Sequence, residues 1–147
     1  MAGKLISEVS EFCFSAKGDD RGQLIALESN LSIPFDVKRV YYMFNTTKGA
    51  ERGFHAHIAL QQMAICVSGS CVMDVEYQNG RESYILDSPD KGLYMGGLVW
   101  REMRNFSPDC VLMVLADALY SEDDYIREYD EFKQRNSALI DLKTKGV

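Results

Sequence analysis

The sequence has no run of lysine or arginine, no CxxC pair, no long apolar stretch and only two histidines. Each shortage removes a class of function. With 16 Lys and Arg against 22 Asp and Glu, the formal charge is −6 and the pI about 4.9, which argues against a nucleic-acid surface. An anionic ligand would have to be met by a few placed arginines. No run approaches the roughly 18 apolar residues of a membrane span, and the first eleven positions hold charges and no apolar h-region. The expected location is cytoplasmic, with no membrane partner. Of the four cysteines, Cys13, Cys66, Cys71 and Cys110, three lie in apolar strand-like runs. They read as buried free thiols of a reducing compartment rather than as disulfides or a metal site. No internal repeat, linker or low-complexity segment divides the 147 residues, so a single domain over 1–147 is expected.

What is present is a succession of short β-rich segments separated by turn residues. Strands are expected over 21–28, 37–44, the histidine segment 51–57, 62–67, 71–77, 82–86, 93–95, 99–106 and 110–116. Asn79-Gly80 suits a tight hairpin, because both positions tolerate φ > 0. Such spacing predicts an all-β sandwich or barrel. Near the end the pattern changes. Ser121 precedes Glu122, Asp123 and Asp124 as a helix N-cap would, and Tyr125, Ile126, Tyr129 and Phe132 recur at helical spacing. A helix over about 122–135 is expected to close a core spanning about 8–135, with a tail, 136–147, lacking clear organisation.

Both histidines lie in Glu51-Arg52-Gly53-Phe54-His55-Ala56-His57. In a strand, side chains alternate, so a His-x-His pair points both imidazoles to one face, whereas on a helix they would diverge by roughly 200°. Imidazole is the one side chain that titrates near neutrality unaided. A single buried histidine is usually structural. Two on one face, preceded by an arginine, favour a functional role.

Gly49, His55, His57, Gln62 and Gly69 are spaced as in the first cupin motif, with Gln62 where that motif has Glu. The second motif's metal-binding His falls at Arg101, four residues before Asn105. Two of four ligands are thus replaced, one by a neutral amide and one by a cation that cannot ligate a metal. The expectation is a cupin jelly roll with no metal and no cofactor. Activity should accordingly survive exhaustive chelation; abolition by EDTA with rescue by a divalent ion would overturn this reading.

The ordered set Asp20-Arg21-Gly22, Pro34 to Tyr42, Arg52 to His57, Gly69-Ser70-Cys71, Asp87-Ser88-Pro89, Gly92-Leu93-Tyr94, Val99-Trp100, Cys110 to Ala116 and Asp124 to Arg127 resembles the dTDP-4-keto-6-deoxyglucose 3,4-ketoisomerases. The resemblance spans about 8–135. It implies a metal-free cupin homodimer that converts dTDP-4-keto-6-deoxyglucose to a dTDP-3-keto-6-deoxyhexose, a precursor of 3-amino sugars in surface glycans such as O-antigen or in glycosylated natural products. By resemblance, His55 and His57 carry the proton transfers. Arg21, Arg52 and Arg101 are candidates for holding carbonyl or pyrophosphate oxygens, and Gln62 and Tyr42 for further substrate contacts. Both C4 configurations of the product, gluco and galacto, are compatible with the sequence. Two other readings compete. One is a dTDP-sugar 3,5-epimerase, which pairs its His with an Asp; no such dyad is assignable in the sequence. The other is a non-catalytic sugar-nucleotide-binding cupin, which would need the arginines but not two titratable groups.

Overall fold

Alternation of β-branched and aromatic residues with polar ones makes most of this chain strand. The computed structural model describes residues 7–146. Its strands are β1 (Ser7–Cys13), β2 (Lys17–Asp19), β3 (Gly22–Leu24), β4 (Arg39–Met43), β5 (Arg52–His57), β6 (Gln61–Ser68), β7 (Cys71–Tyr77), β8 (Gly80–Leu86), β9 (Lys91–Gly97), β10 (Trp100–Arg104), β11 (Val111–Ala116) and β12 (Tyr125–Ile126). A helix, α1 (Tyr129–Thr144), ends the described chain. Two five-stranded antiparallel sheets, ordered β1-β9-β6-β11-β4 and β12-β5-β10-β7-β8, form a cupin jelly roll, and β2-β3 is a separate hairpin.

The period-2 pattern sorts side chains into layers. Between the sheets lie Ala64, Met73, Val75, Leu93, Met95 and Leu112, all at most 1 % exposed. The outer face of the first sheet carries Met63, Ile65 and Leu115, covered by Phe14, Ile33 and Phe35 from the N-terminal segment. On the outside of the second sheet, Phe132 and Leu139 of α1 cover Ala56, Trp100 and Ile126. Burying Phe132 fully is worth about 1.5–3 kcal/mol. Because β6 is covered on both faces, its sequence reads as a continuous apolar run rather than an alternating one.

Strands β1 and β2 lie outside the expected set, and three later segments also differ from the sequence expectation. Regular pairing in 21–28 stops at Leu24; Ile25 and Leu27 instead pack on the outer cluster, and the Glu28 carbonyl accepts hydrogen bonds from Leu31 and Ile33, folding the chain back. No helix covers 122–128. Glu122–Asp124 is one 3₁₀ turn and Tyr125–Ile126 pairs with His57–Ala56, because backbone groups beside β5 hold that stretch extended. The helix then runs to Thr144, so the supposed tail is largely ordered. Phe132, Asn136 and Leu139 form its buried stripe, and the Asn136 amide donates to the Tyr77 carbonyl at 3.3 Å. Asn136, a polar residue in that stripe, interrupts the apolar period, so the sequence pattern marks no helix beyond about 135.

Candidate active site

At one end of the sandwich the inward residues turn from apolar to polar. β5 supplies His55 and His57, β10 supplies Arg101, β6 supplies Gln62, and β4 supplies Tyr41. Register explains the meeting. Arg101 pairs directly with His55, and Tyr125 of β12 with His57, so those side chains share a face. His55 and His57 stand edge to face with ring centres 5.0 Å apart, and the Tyr125 ring lies 5.0 Å from one and 4.4 Å from the other.

A β-bulge aims the pair. Arg101 pairs with His55 but Glu102 pairs with Gly53, leaving Phe54 as the extra residue. Gly53 and Phe54 both have positive φ, 92° and 58°. For a phenylalanine that conformation is strained, and such strain gathers at functional sites. The bulge also shifts the strand's phase. Arg52 falls opposite Met103, on the histidines' face of the strand, and stays exposed.

His57, Gln62 and Arg101 are each held by definite partners. His57 is 1 % exposed, and its Nδ1 lies 3.1 Å from Asp124 Oδ2, while Asp124 Oδ1 accepts from the Ala59 amide at 3.0 Å. A carboxylate on Nδ1 fixes the Nδ1–H tautomer and leaves Nε2 as an unprotonated acceptor. Among the described residues that Nε2 has no partner. Gln62 uses both ends of its amide, accepting from Arg101 and donating to the Tyr41 hydroxyl at 3.0 Å. Arg101, 2 % exposed, also donates to the Val99 carbonyl at 2.9 Å, and its Nε has no partner. Among the described residues no carboxylate forms an ion pair with it. A cavity of about 300 Å³ adjoins His57, lined by Arg39, Asp117, Asp124 and Tyr125 among others.

Charge and burial set the protonation states. Burial, reinforced by Arg101, lowers His55 to about 4. The same two causes lower His57, against the opposing pull of Asp124. Burial pulls Arg101 down to about 10, which leaves it cationic at neutral pH. The resting site therefore holds two neutral imidazoles beside the cationic Arg101, which no carboxylate pairs with directly among the described residues.

A pH dependence follows. The acid limb of kcat/KM, which reports the free enzyme, should fall near pH 4 rather than near the ordinary 6.5 of histidine. Stability shifts in the same direction. The unfolded chain takes up the proton first, so this contribution is complete above about pH 6.5 and is lost as pH falls through about 4. An activity limb at pH 6 to 7 would mean that His55 is not the titrating base.

The structure brings together His55, His57, Arg101 and Gln62; Arg52 is exposed opposite Met103, two residues along β10 from Arg101. The structure does not bring Tyr42 or Arg21 to them. Tyr42 points outward, 62 % exposed, against Phe44, and its neighbour Tyr41 takes the inward position. Arg21 sits in the β2–β3 hairpin with its side chain 90 % exposed, paired to Asp19 at 2.6 Å. Sequence reasoning gave no role to Tyr41, Asp124 or Tyr125. It also assigned no His–Asp dyad, and the His57–Asp124 pair corrects that.

The chain as a whole has close relatives. Residues 7–137 match the family described as FdtA, WxcM-like, C-terminal. The TDP-4-oxo-6-deoxy-alpha-D-glucose-3,4-oxoisomerase of Aneurinibacillus thermoaerophilus is 51 % identical over 128 residues, covering 87 % of this chain and 91 % of that protein. The crystal structure of the sugar 3,4-ketoisomerase QdtA from Thermoanaerobacterium thermosaccharolyticum, in complex with TDP, superposes with a TM-score of 0.86 at 41 % identity, covering 88 % of this chain and 95 % of that one. A histidine-to-asparagine mutant of QdtA, in complex with TDP-4-keto-6-deoxyglucose, superposes with a TM-score of 0.86 at 40 % identity, covering 88 % and 94 %.

Proposed function

The chain belongs to the FdtA (WxcM-like, C-terminal) family and is a sugar-nucleotide 3,4-ketoisomerase, and from that premise we propose that it converts dTDP-4-keto-6-deoxyglucose to a dTDP-3-keto-6-deoxyhexose through its two inward histidines. One neutral imidazole takes the proton from C3. The C3–H electron pair becomes the C3=C4 bond of an enediolate, and the negative charge develops on O4. The proton of O3 passes to O4, the C3 carbonyl forms, and C4 receives a proton on carbon. Protons and electrons balance within the sugar, so no outside oxidant or reductant enters.

The observation that carries this reading is the buried guanidinium of Arg101, which pairs with no carboxylate among the described residues, beside two imidazoles poised as neutral acceptors. A positive group preorganised where an oxyanion develops lowers the barrier more than it favours the neutral ketone. Asp124 acts through His57, holding its tautomer and stabilising the imidazolium when it forms. Gln62 and Tyr41 keep Arg101 aimed without neutralising it. Arg52, exposed on the histidines' strand, suits the pyrophosphate, and so does Arg21 if a second copy brings its hairpin to the site.

Such a second copy is part of the reading. The edge strand β4 exposes Val40 and Tyr42, with Phe44 just beyond it, a row that a homodimer would cover. No helix among the described residues is long and apolar enough to cross a membrane, and the free cysteines suit a reducing cytoplasm. The test is incubation of the pure protein with dTDP-4-keto-6-deoxyglucose in deuterated water, followed by NMR. Deuterium on carbon and a 3-keto product support the ketoisomerase, and the C4 configuration is read from the same spectrum. Binding without exchange would favour a non-catalytic cupin, and exchange at C5 an epimerase. Sedimentation as a monomer at micromolar concentration would overturn the dimer.

A further inference from the structure

At the end of the sandwich opposite the histidines, three cysteines of the inner core meet. Cys66 lies near the end of β6, Cys71 opens β7, and Cys110 immediately precedes β11, beneath the Gly69 turn. Cys66 Sγ is 3.5 Å from Cys71 Sγ and 3.7 Å from Cys110 Sγ, and all three sulfurs lie within 4.8 Å of one another. All are at most 3 % exposed, and none is in a disulfide. Cys66 is four residues along β6 from Gln62, about 13 Å at the usual strand rise, so the ketoisomerase chemistry does not use it.

Metal–thiolate bonds of about 2.3 Å put the sulfurs of a shared ion about 3.8 Å apart, close to the spacing these thiols already have. Charge then selects the occupant. The surroundings are apolar, including Met73, Val75, Leu86 and Leu112. Three thiolates around a divalent cation would leave a net negative charge there, and burying an unpaired charge is costly. Structural zinc also takes four ligands, and among the described residues this cluster offers three. A trivalent metalloid meets both conditions. Its hydroxide is neutral, as are the thiols, and the product is neutral as well.

We propose that Cys66, Cys71 and Cys110 form a trithiol site for trivalent arsenic or a metalloid of the same chemistry. Three S–H and three As–O bonds break, three As–S bonds form, and three waters leave. Arsenic stays trivalent throughout, so no redox partner is required. Entry requires opening of the Gly69 turn, so binding is slow relative to that of exposed thiols.

The probe is sodium arsenite added to the full-length reduced protein, read by native mass spectrometry after gel filtration. The expected result is one arsenic per chain with loss of three thiol protons. Cys13→Ala should leave this unchanged, while Ala at any of the other three should lower arsenite affinity at least tenfold; a cooperative thermal unfolding transition for each variant reports that it is folded. Cadmium, tried in parallel, should be held more weakly. No retained arsenic, loss of only two protons, or retention unchanged by the three substitutions would each overturn the site. Tighter retention of cadmium would overturn its selectivity. These readouts need no sugar nucleotide, so they stand or fall apart from the ketoisomerase reading.

Discussion

Replacing His57 with Asn is expected to lower turnover by about 10²–10⁴-fold, roughly 3–5 kcal/mol of barrier, while dTDP affinity changes little. The reason is local. Asn can still donate to Asp124 from about where Nδ1 sits, so the 3.1 Å contact and the packing against Tyr125 can persist. What it cannot supply is the opposite nitrogen, Nε2, which is buried and without a partner among the described residues. The loss should therefore fall on kcat rather than on binding. His55→Asn is expected to lose a comparable factor, but the two need not behave alike. The variant retaining the C3 base can continue to exchange the C3 proton with solvent while failing to form 3-keto product, since the enediolate then lacks its C4 proton donor. Steady-state rates with deuterium exchange at C3 would assign the two roles. Turnover within a few-fold of the parent in both variants would make the histidines structural and put the binding-domain reading ahead.

Much of this site was legible because strand alternation is rigid. His55 and His57 share a face for the same reason that Ala56 faces the helix, and the ligand spacing through Gln62 to Arg101 placed the remaining polar centre. Alternation fails where the backbone departs from it. The bulge at Phe54 shifts the phase of the strand, so Arg52 reaches the histidines' side although plain counting puts it on the other. Tyr41 and Tyr42 pose the converse problem. Both are tyrosines in one strand, and only the register with Val114 and Met113 decides which points inward. Asp124 was hidden by chemistry. Three consecutive acids after a serine read as a helix start, yet the local sequence cannot show that the Ala59 amide, just after β5, and the His57 imidazole each take one oxygen of the Asp124 carboxylate. The cysteine cluster was hidden by distance, since Cys110 is 44 residues from Cys66 and no spacing rule joins them.

Substitution of Arg101 by Met is expected to separate activity from stability. If the guanidinium holds the developing oxyanion, its removal should cost about 10²–10³-fold in kcat, the range for a preorganised oxyanion donor. A residue kept for structure would give the opposite stability result. Arg101 is 2 % exposed, has one orphaned nitrogen and, among the described residues, faces no carboxylate in an ion pair. An unbranched apolar chain in its place removes that buried charge, and such replacements are often neutral or stabilising by about 1–4 kcal/mol. The Val99 carbonyl and Gln62 Oε1 lose a donor, which offsets part of the gain. The expected outcome is thus an unchanged or raised Tm with turnover nearly lost. Gln62→Glu offers a check that keeps the arginine in place. A carboxylate at that position would neutralise the guanidinium through the same contact, so turnover should fall although Arg101 itself is kept; the Tyr41 hydroxyl, which loses the amide donor, can donate to the carboxylate instead. If Arg101→Met unfolded the protein, or if Gln62→Glu turned over as the parent does, the positive charge would be a structural feature and the oxyanion would have to be met by another group.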